Sequence, residues 1–130
     1  MNLLAEGEAK TAYERYSVAW EQRMAQEAED LLQRRQFAVG LARRLAEVLA
    51  QDFAASAVYL FGSAAHGHHY RWDSDLDLAA EGIPPEQEFR AAARLAELAA
   101  EDGFTADLTC LESCKAPVRE RVLSKGMRLV

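Results

Sequence analysis

Asp75, Leu76, Asp77 and Leu78 alternate carboxylate with apolar side chain. In a β-strand that period of two puts both carboxylates on one face, where they can share a hard divalent cation. Asp107 stands further on, alone between Ala106 and Leu108. A carboxylate among apolar neighbours is costly to bury unless something pairs with it. If its strand lies beside that of Asp75 and Asp77, it completes a three-carboxylate set that binds metal or accepts a proton from a hydroxyl. Upstream, FGSAAHGHHYRWDSDLD runs from Phe61 to Asp77 and opens on Gly62-Ser63. Gly62 lets the backbone approach a phosphate closely, and Ser63 adds a hydroxyl donor at an expected helix start. Together these are the parts that phosphoryl or nucleotidyl transfer requires: metal on hard oxygens, amides on phosphate, and a positioned acceptor hydroxyl. A D-x-D pair or a Gly-Ser dipeptide alone is common on solvated turns. The ordered set carries the reading: strand, Gly-Ser, short loop, Asp-x-Asp, helix, and an isolated Asp in an apolar strand.

Elements that could position these groups can be read from the flanking sequence. From about Thr11 to Gln51 the chain is rich in Ala, Glu, Gln, Arg and Leu, with no proline and one interior glycine, Gly40. Such a composition favours helix, and apolar residues recur at helical spacing through Tyr13, Tyr16, Trp20, Met24 and Leu31, then Leu41, Leu45, Val48 and Leu49. The second half has the wider apolar stripe and is expected to pack on the body. The first half carries its aromatic residues on one side and is expected to meet a partner. Arg34, Arg35, Arg43 and Arg44 read as a solvated helix face. A short β-prone run, Val58 to Phe61, ends at Gly62, and a second strand contains Asp75 and Asp77. Gly82 and Pro84-Pro85 end it. A helix follows, with Phe89, Leu95 and Leu98 assigned to the core and Gly103 as its stop. FTADLTCL is the third strand, and PVRERVLSKGMRLV a short helix from Pro117 to about Lys125 plus a final strand or tail. Asp73 reads as shaping the loop, Glu112 as a solvated loop residue.

The 130 residues suit one domain with one core: a helical extension over 1–52 and a core over 53–130. No apolar run is long enough to cross a membrane, and MNLLAEGEAK lacks the pattern of a secretory signal, so a cytoplasmic protein is expected. Cys110 and Cys114 provide no disulfide framework. A formal charge of −6 argues against coating nucleic acid, which requires a basic face.

GSAAHG followed by SDLDLA, with FTADLT downstream, resembles the nucleotidyltransferase superfamily of DNA polymerase beta, and within it the minimal nucleotidyltransferases. The resemblance covers about Ser56 to Val130. It implies an α/β (α+β) nucleotidyltransferase fold, a small mixed β-sheet flanked by helices, here with a long N-terminal helical arm. It also implies ATP or another nucleoside triphosphate as substrate, two magnesium ions, and transfer of a nucleoside monophosphate to a hydroxyl. By position, Asp75, Asp77 and Asp107 would be the catalytic metal-binding carboxylates, and Gly62, Ser63, His66, Arg71 and Ser74 would bind nucleotide. The minimal proteins usually read Gly-Ser-x-Ala-Arg-Gly, whereas this chain has His66 at the arginine position. Arginine is a fixed charge that grips phosphate with two hydrogen bonds, and histidine is not. Arg71, in the same loop, is the candidate replacement.

Larger members of the superfamily carry further domains for base and acceptor, for which this chain leaves no room. The acceptor platform is therefore expected from another molecule or from a second copy of this one. For the minimal family the resemblance implies a HEPN-type toxin, modified by AMP transfer or simply bound by the nucleotidyltransferase as antitoxin. A homodimer through the Tyr13, Tyr16 and Trp20 face is also expected. Three other readings stay open: a non-catalytic binding module, transfer to a small molecule, and a transition-metal site built from His66, His68 and His69 with Cys110 or Cys114.

Overall fold

The computed structural model describes residues 11–130; the reading of MNLLAEGEAK lies outside them. The first element is helix α1, Ala12–Phe53. Its start is a reciprocal cap: the Glu14 amide donates to the Thr11 hydroxyl at 3.1 Å, and the Thr11 amide to the Glu14 carboxylate at 3.3 Å. Gly40 does not break it, and a side chain at that position would meet nothing within 4 Å. Ala54, at φ 63°, turns the chain out of the helix.

The chain divides into two compact units, one reaching Gln33 and the other spanning Arg34–Val130. In the first, Tyr13, Tyr16 and Trp20 are all exposed. In the second, α1 buries Ala38, Leu41, Ala42, Leu45, Ala46 and Leu49, a 3-and-4 spacing that makes one continuous stripe.

The second unit is built on a four-stranded mixed sheet in the order β3-β2-β1-β4. β1 is Ala57–Phe61, β2 Leu76–Glu81, β3 Ala106–Cys110 and β4 Met127–Arg128. β1 runs antiparallel to β2 and β4, and β2 parallel to β3. Helix α2, Ser63–His66, follows β1 directly. A 3-10 turn at Pro85–Gln87 leads into α3, Glu88–Glu101, and α4 spans Ala116–Lys125. The parallel β2–β3 pair requires a crossover, which α3 provides, packing against β3.

Strand alternation sorts the sheet into two faces. Val58, Leu60, Leu76, Leu78 and Ala80 are all fully buried. The other face carries Tyr59, Phe61, Asp77 and Ala79, and α4 packs onto it through Val118 and Val122, closing a small cluster with Ala79, Leu111 and Cys114. α4 thus covers the carboxylate-bearing face only in part, and the strand ends at Asp77 stay accessible.

One core assignment is corrected. Phe89 is 85% exposed, and α3 instead buries Ala91, Leu95 and Ala99. Phe89 lies in the first turn, six residues before Leu95. At 100° per residue that is well off the buried stripe.

Candidate active site

Asp77 stands in register with Asp107 on β3 and with Phe61 on β1. Registered residues on parallel neighbours project from the same face, so the Asp77 and Asp107 side chains stand next to each other. Asp75 lies just before β2 and accepts a hydrogen bond from the hydroxyl of Thr105, which precedes β3. Burial first, then the Asp107 and Asp75 charges, push the Asp77 carboxyl above its ordinary pKa. Among the described residues, none of the three forms an ion pair with Lys or Arg. Asp107 itself is exposed: lying on an edge strand, it avoids the burial cost expected from its apolar neighbours.

Among the described residues no three His, Cys, Asp or Glu side chains converge tightly enough to clasp a metal. The donor set nevertheless fits a hard dication: carboxylate oxygens on adjoining strands, with no positive partner of their own.

Gly62 connects this cluster to the loop. It sits at φ +75°, where side-chain-bearing residues are disfavoured. A Cβ there would fall 2.5 Å from Oδ2 of Asp77. Only glycine lets the turn lie directly against the carboxylate. Among the described residues, no side chain caps the start of α2 at Gly62.

Two arginines of α1 are not the solvated residues expected from the helical pattern. Arg35 donates through Nε to the Ala64 carbonyl at 3.0 Å and through Nη2 to the Ala65 carbonyl at 2.9 Å. The guanidinium passes so close to Gly67 that a Cβ there would lie 3.1 Å from its Cζ. Arg34 donates to the carbonyls of Trp72 (2.8 Å) and Gly103 (3.2 Å) and stacks over the rings of Trp72 and Phe104, 4.9 and 4.1 Å from their centroids. It thereby joins the loop leading to Asp75 with the loop leading to Asp107. Arg44 keeps a solvated role, with an exposed ion pair to Asp102 at 3.4 Å.

The remaining loop residues divide by what they touch. The Ser74 hydroxyl accepts the Arg71 amide at 2.8 Å, and the Ser74 amide donates to the Arg71 carbonyl at 3.0 Å, which closes a tight turn. Arg71 pairs with Asp73 at 3.6 Å, both side chains being largely exposed. His66 accepts the His68 amide at Nδ1, 2.9 Å away; a neutral ring in this arrangement carries its proton on Nε2. Glu112, expected in solvent, accepts the Gly82 amide. A cleft of about 540 Å3 opens beside Gly62, lined by Phe61, Gly62, His66, His68, Arg121 and Lys125. Sequence reasoning missed Arg121 and Lys125. Their spacing of four on α4 was a visible signal for one shared helix face, but nothing in the sequence said what that face meets.

The family described as Polymerase beta, Nucleotidyltransferase matches residues 43–130, more than half of the chain. No curated protein matches the chain. Among solved structures, a toxin–antitoxin with AMP-PNP superposes with a TM-score of 0.55 at 27% identity, covering 68% of this chain and 72% of that one. The toxin–antitoxin MntA–HepT gives 0.52 at 22% identity, covering 69% of each. The tri-AMPylated Shewanella oneidensis HEPN toxin in complex with MNT antitoxin gives 0.52 at 23% identity, covering 74% of this chain and 71% of that one. These last two speak for the fold alone.

Proposed function

Because the chain belongs to the polymerase beta nucleotidyltransferase family, we propose that it moves a nucleoside monophosphate, AMP from ATP, onto a hydroxyl of a partner protein, a HEPN-type toxin for which it serves as antitoxin. The observation that carries this reading is the register pair Asp77 and Asp107, with Asp75 alongside and Gly62 pressed against Asp77. The AMP-PNP in a toxin–antitoxin structural neighbour supports the choice of nucleotide and of a toxin as partner.

In the proposed reaction the acceptor oxygen attacks the α-phosphorus. A new P–O bond forms, the bond from that phosphorus to the bridging oxygen breaks, and pyrophosphate leaves with the electron pair. Asp107, the more exposed member of the pair, accepts the hydroxyl proton. Asp75 and Asp77 would hold magnesium, which when bound neutralises charge on the phosphates and on the attacking oxygen. The Thr105 hydroxyl fixes the orientation of Asp75. The Gly62-Ser63 turn receives the triphosphate through backbone amides and the Ser63 hydroxyl. Ser74, turned back on Arg71, shapes the loop between these two ends. We assign the exposed Tyr13, Tyr16 and Trp20 face to self-association into a homodimer.

A second reading, a binding module without catalysis, draws on His66, which stands where the motif has arginine. Incubation with α-labelled ATP and magnesium separates the two, with and without the partner protein and with Asp77→Asn as control. Label on a partner hydroxyl that falls at least about a hundredfold in the variant supports transfer. Tight partner binding with no label from any nucleotide supports the binding module.

A further inference from the structure

We propose that Arg121 and Lys125 form the cationic wall that grips the polyphosphate tail of the nucleotide, in place of the arginine that His66 has displaced; this rests on the nucleotidyltransferase reading above. Three observations converge on the pair. The first is position. α4 lies on the carboxylate-bearing face of the sheet through Val118 and Val122, and Arg121 and Lys125, one turn apart, line the same cleft as Gly62 and His66. A cleft of about 540 Å3 falls within the range of small-ligand sites. It opens on the side of Gly62, whose missing side chain leaves that residue in contact with Asp77. A nucleotide whose phosphates reach Gly62 from this cleft therefore meets the carboxylates at one end and α4 along its flank.

The second is the fate of the other cations near the site. Arg35 is held through Nε and Nη2 by the Ala64 and Ala65 carbonyls, and Arg34 through Nε and Nη2 by those of Trp72 and Gly103. Arg71 is drawn to Asp73. Arg119, also on α4, donates to the Leu111 carbonyl at 3.1 Å and lies 3.8 Å from Glu81. Arg121 and Lys125 form no ion pair among the described residues, although the chain as a whole carries a net charge of −6. Two unpaired cations facing one cleft of an acidic protein attract an anion to that cleft.

The third is His66 itself. With Nδ1 engaged by the His68 amide, the ring has one remaining N–H to offer. It cannot make the two-pronged contact of a guanidinium. Arg121 can, from across the cleft, and Lys125 adds a mobile point charge beside it.

The test is calorimetric titration of the full chain with magnesium-ATP and with AMP. It compares the unaltered protein with Arg121→Ala, Arg121→Lys, Lys125→Ala and the double alanine variant, with Arg94→Ala on α3 as control. Circular dichroism melting checks that each variant is folded. The expected result is a loss of ATP affinity of about tenfold for Arg121→Ala and more for the double variant. Arg121→Lys should recover part of it, AMP affinity should stay within about twofold, and Arg94→Ala should change neither. ATP bound equally well by the unaltered protein and the folded double variant overturns the inference and leaves the proposed function standing. So does an equal loss for ATP and AMP, which would place the two cations away from the β- and γ-phosphates. An unaltered chain that binds no nucleotide overturns both together.

Discussion

Asp77 stands among like charges that no Lys or Arg of the described protein pairs with, and this dictates how it answers to pH. Its carboxyl titrates above the ordinary value because of burial, Asp107 and Asp75. Between that ordinary value, about 4, and the raised one, the folded chain holds the proton more tightly than the unfolded chain does. Asp77's contribution is therefore most favourable at acid pH and is lost as pH rises through the raised value. Asp77→Asn keeps the shape and removes the charge. We expect it to melt a few degrees above the unaltered protein at neutral pH, with the gap closing as pH falls below the ordinary carboxylate range. Magnesium should reverse the order by stabilising the unaltered protein and not the variant. Thermal melts across pH, with and without magnesium, check both signs. An equal response to magnesium in the two proteins would remove Asp77 from the proposed metal ligands.

At the scale of the element, the site depends on α1 as much as on the strands that carry the carboxylates. Gly62 is held from one side by β1 and Asp77. From the other, Arg35 holds the carbonyls of Ala64 and Ala65. Arg35→Ala removes two charge-assisted hydrogen bonds and is expected to cost roughly 2 kcal/mol of stability. Lysine should not restore it, because one ammonium cannot span two carbonyls in the geometry of a guanidinium. Denaturant unfolding of both variants, alongside their ATP affinity, is the measurement. Unchanged stability and affinity would mean that β1 alone fixes the turn.

The strands, the Gly62 turn and the order of elements could be read from the sequence because each is announced locally, by β-prone runs, by glycine and by alternation of two. The role of Arg35 could not. A helical pattern tells which residues share a face, and Arg34 and Arg35 fall beside the buried stripe that begins at Ala38. Whether such a residue meets water or a carbonyl far along the chain is settled by tertiary contact alone. Phe89 failed in the opposite direction: apolar by type, it lies outside the stripe of Ala91, Leu95 and Ala99. Arg121 and Lys125 went unnoticed because a short polar helix presents cations on several faces, and only docking through Val118 and Val122 selects one. The register of Asp77 with Asp107 lay between these cases, since each strand could be found alone and only their pairing needed the structure.

At the scale of the whole molecule, the exposed aromatic face of the unit that ends at Gln33 raises the question of what covers it. Tyr13, Tyr16 and Trp20 are 78%, 66% and 47% exposed and border a shallow hollow of about 310 Å3 together with Ser17 and Glu21. Their spacing of three and four puts them on one side of α1. Large aromatic surfaces with a polar edge are the usual anchors of protein–protein contacts. If a second copy covers them, sedimentation velocity should give about twice the 14.5 kDa of the chain, and the melting temperature should rise with protein concentration. Tyr16→Ala combined with Trp20→Ala should then sediment as a single chain whose melting is independent of concentration. Because the carboxylates and the Gly62 cleft belong to the compact unit Arg34–Val130, magnesium-ATP affinity should be the same in both proteins. An unaltered chain that already sediments at 14.5 kDa would rule out the homodimer and leave the aromatic face to the acceptor protein. In that event the same double variant should weaken capture of the acceptor and raise the KM for it, with ATP binding again unchanged.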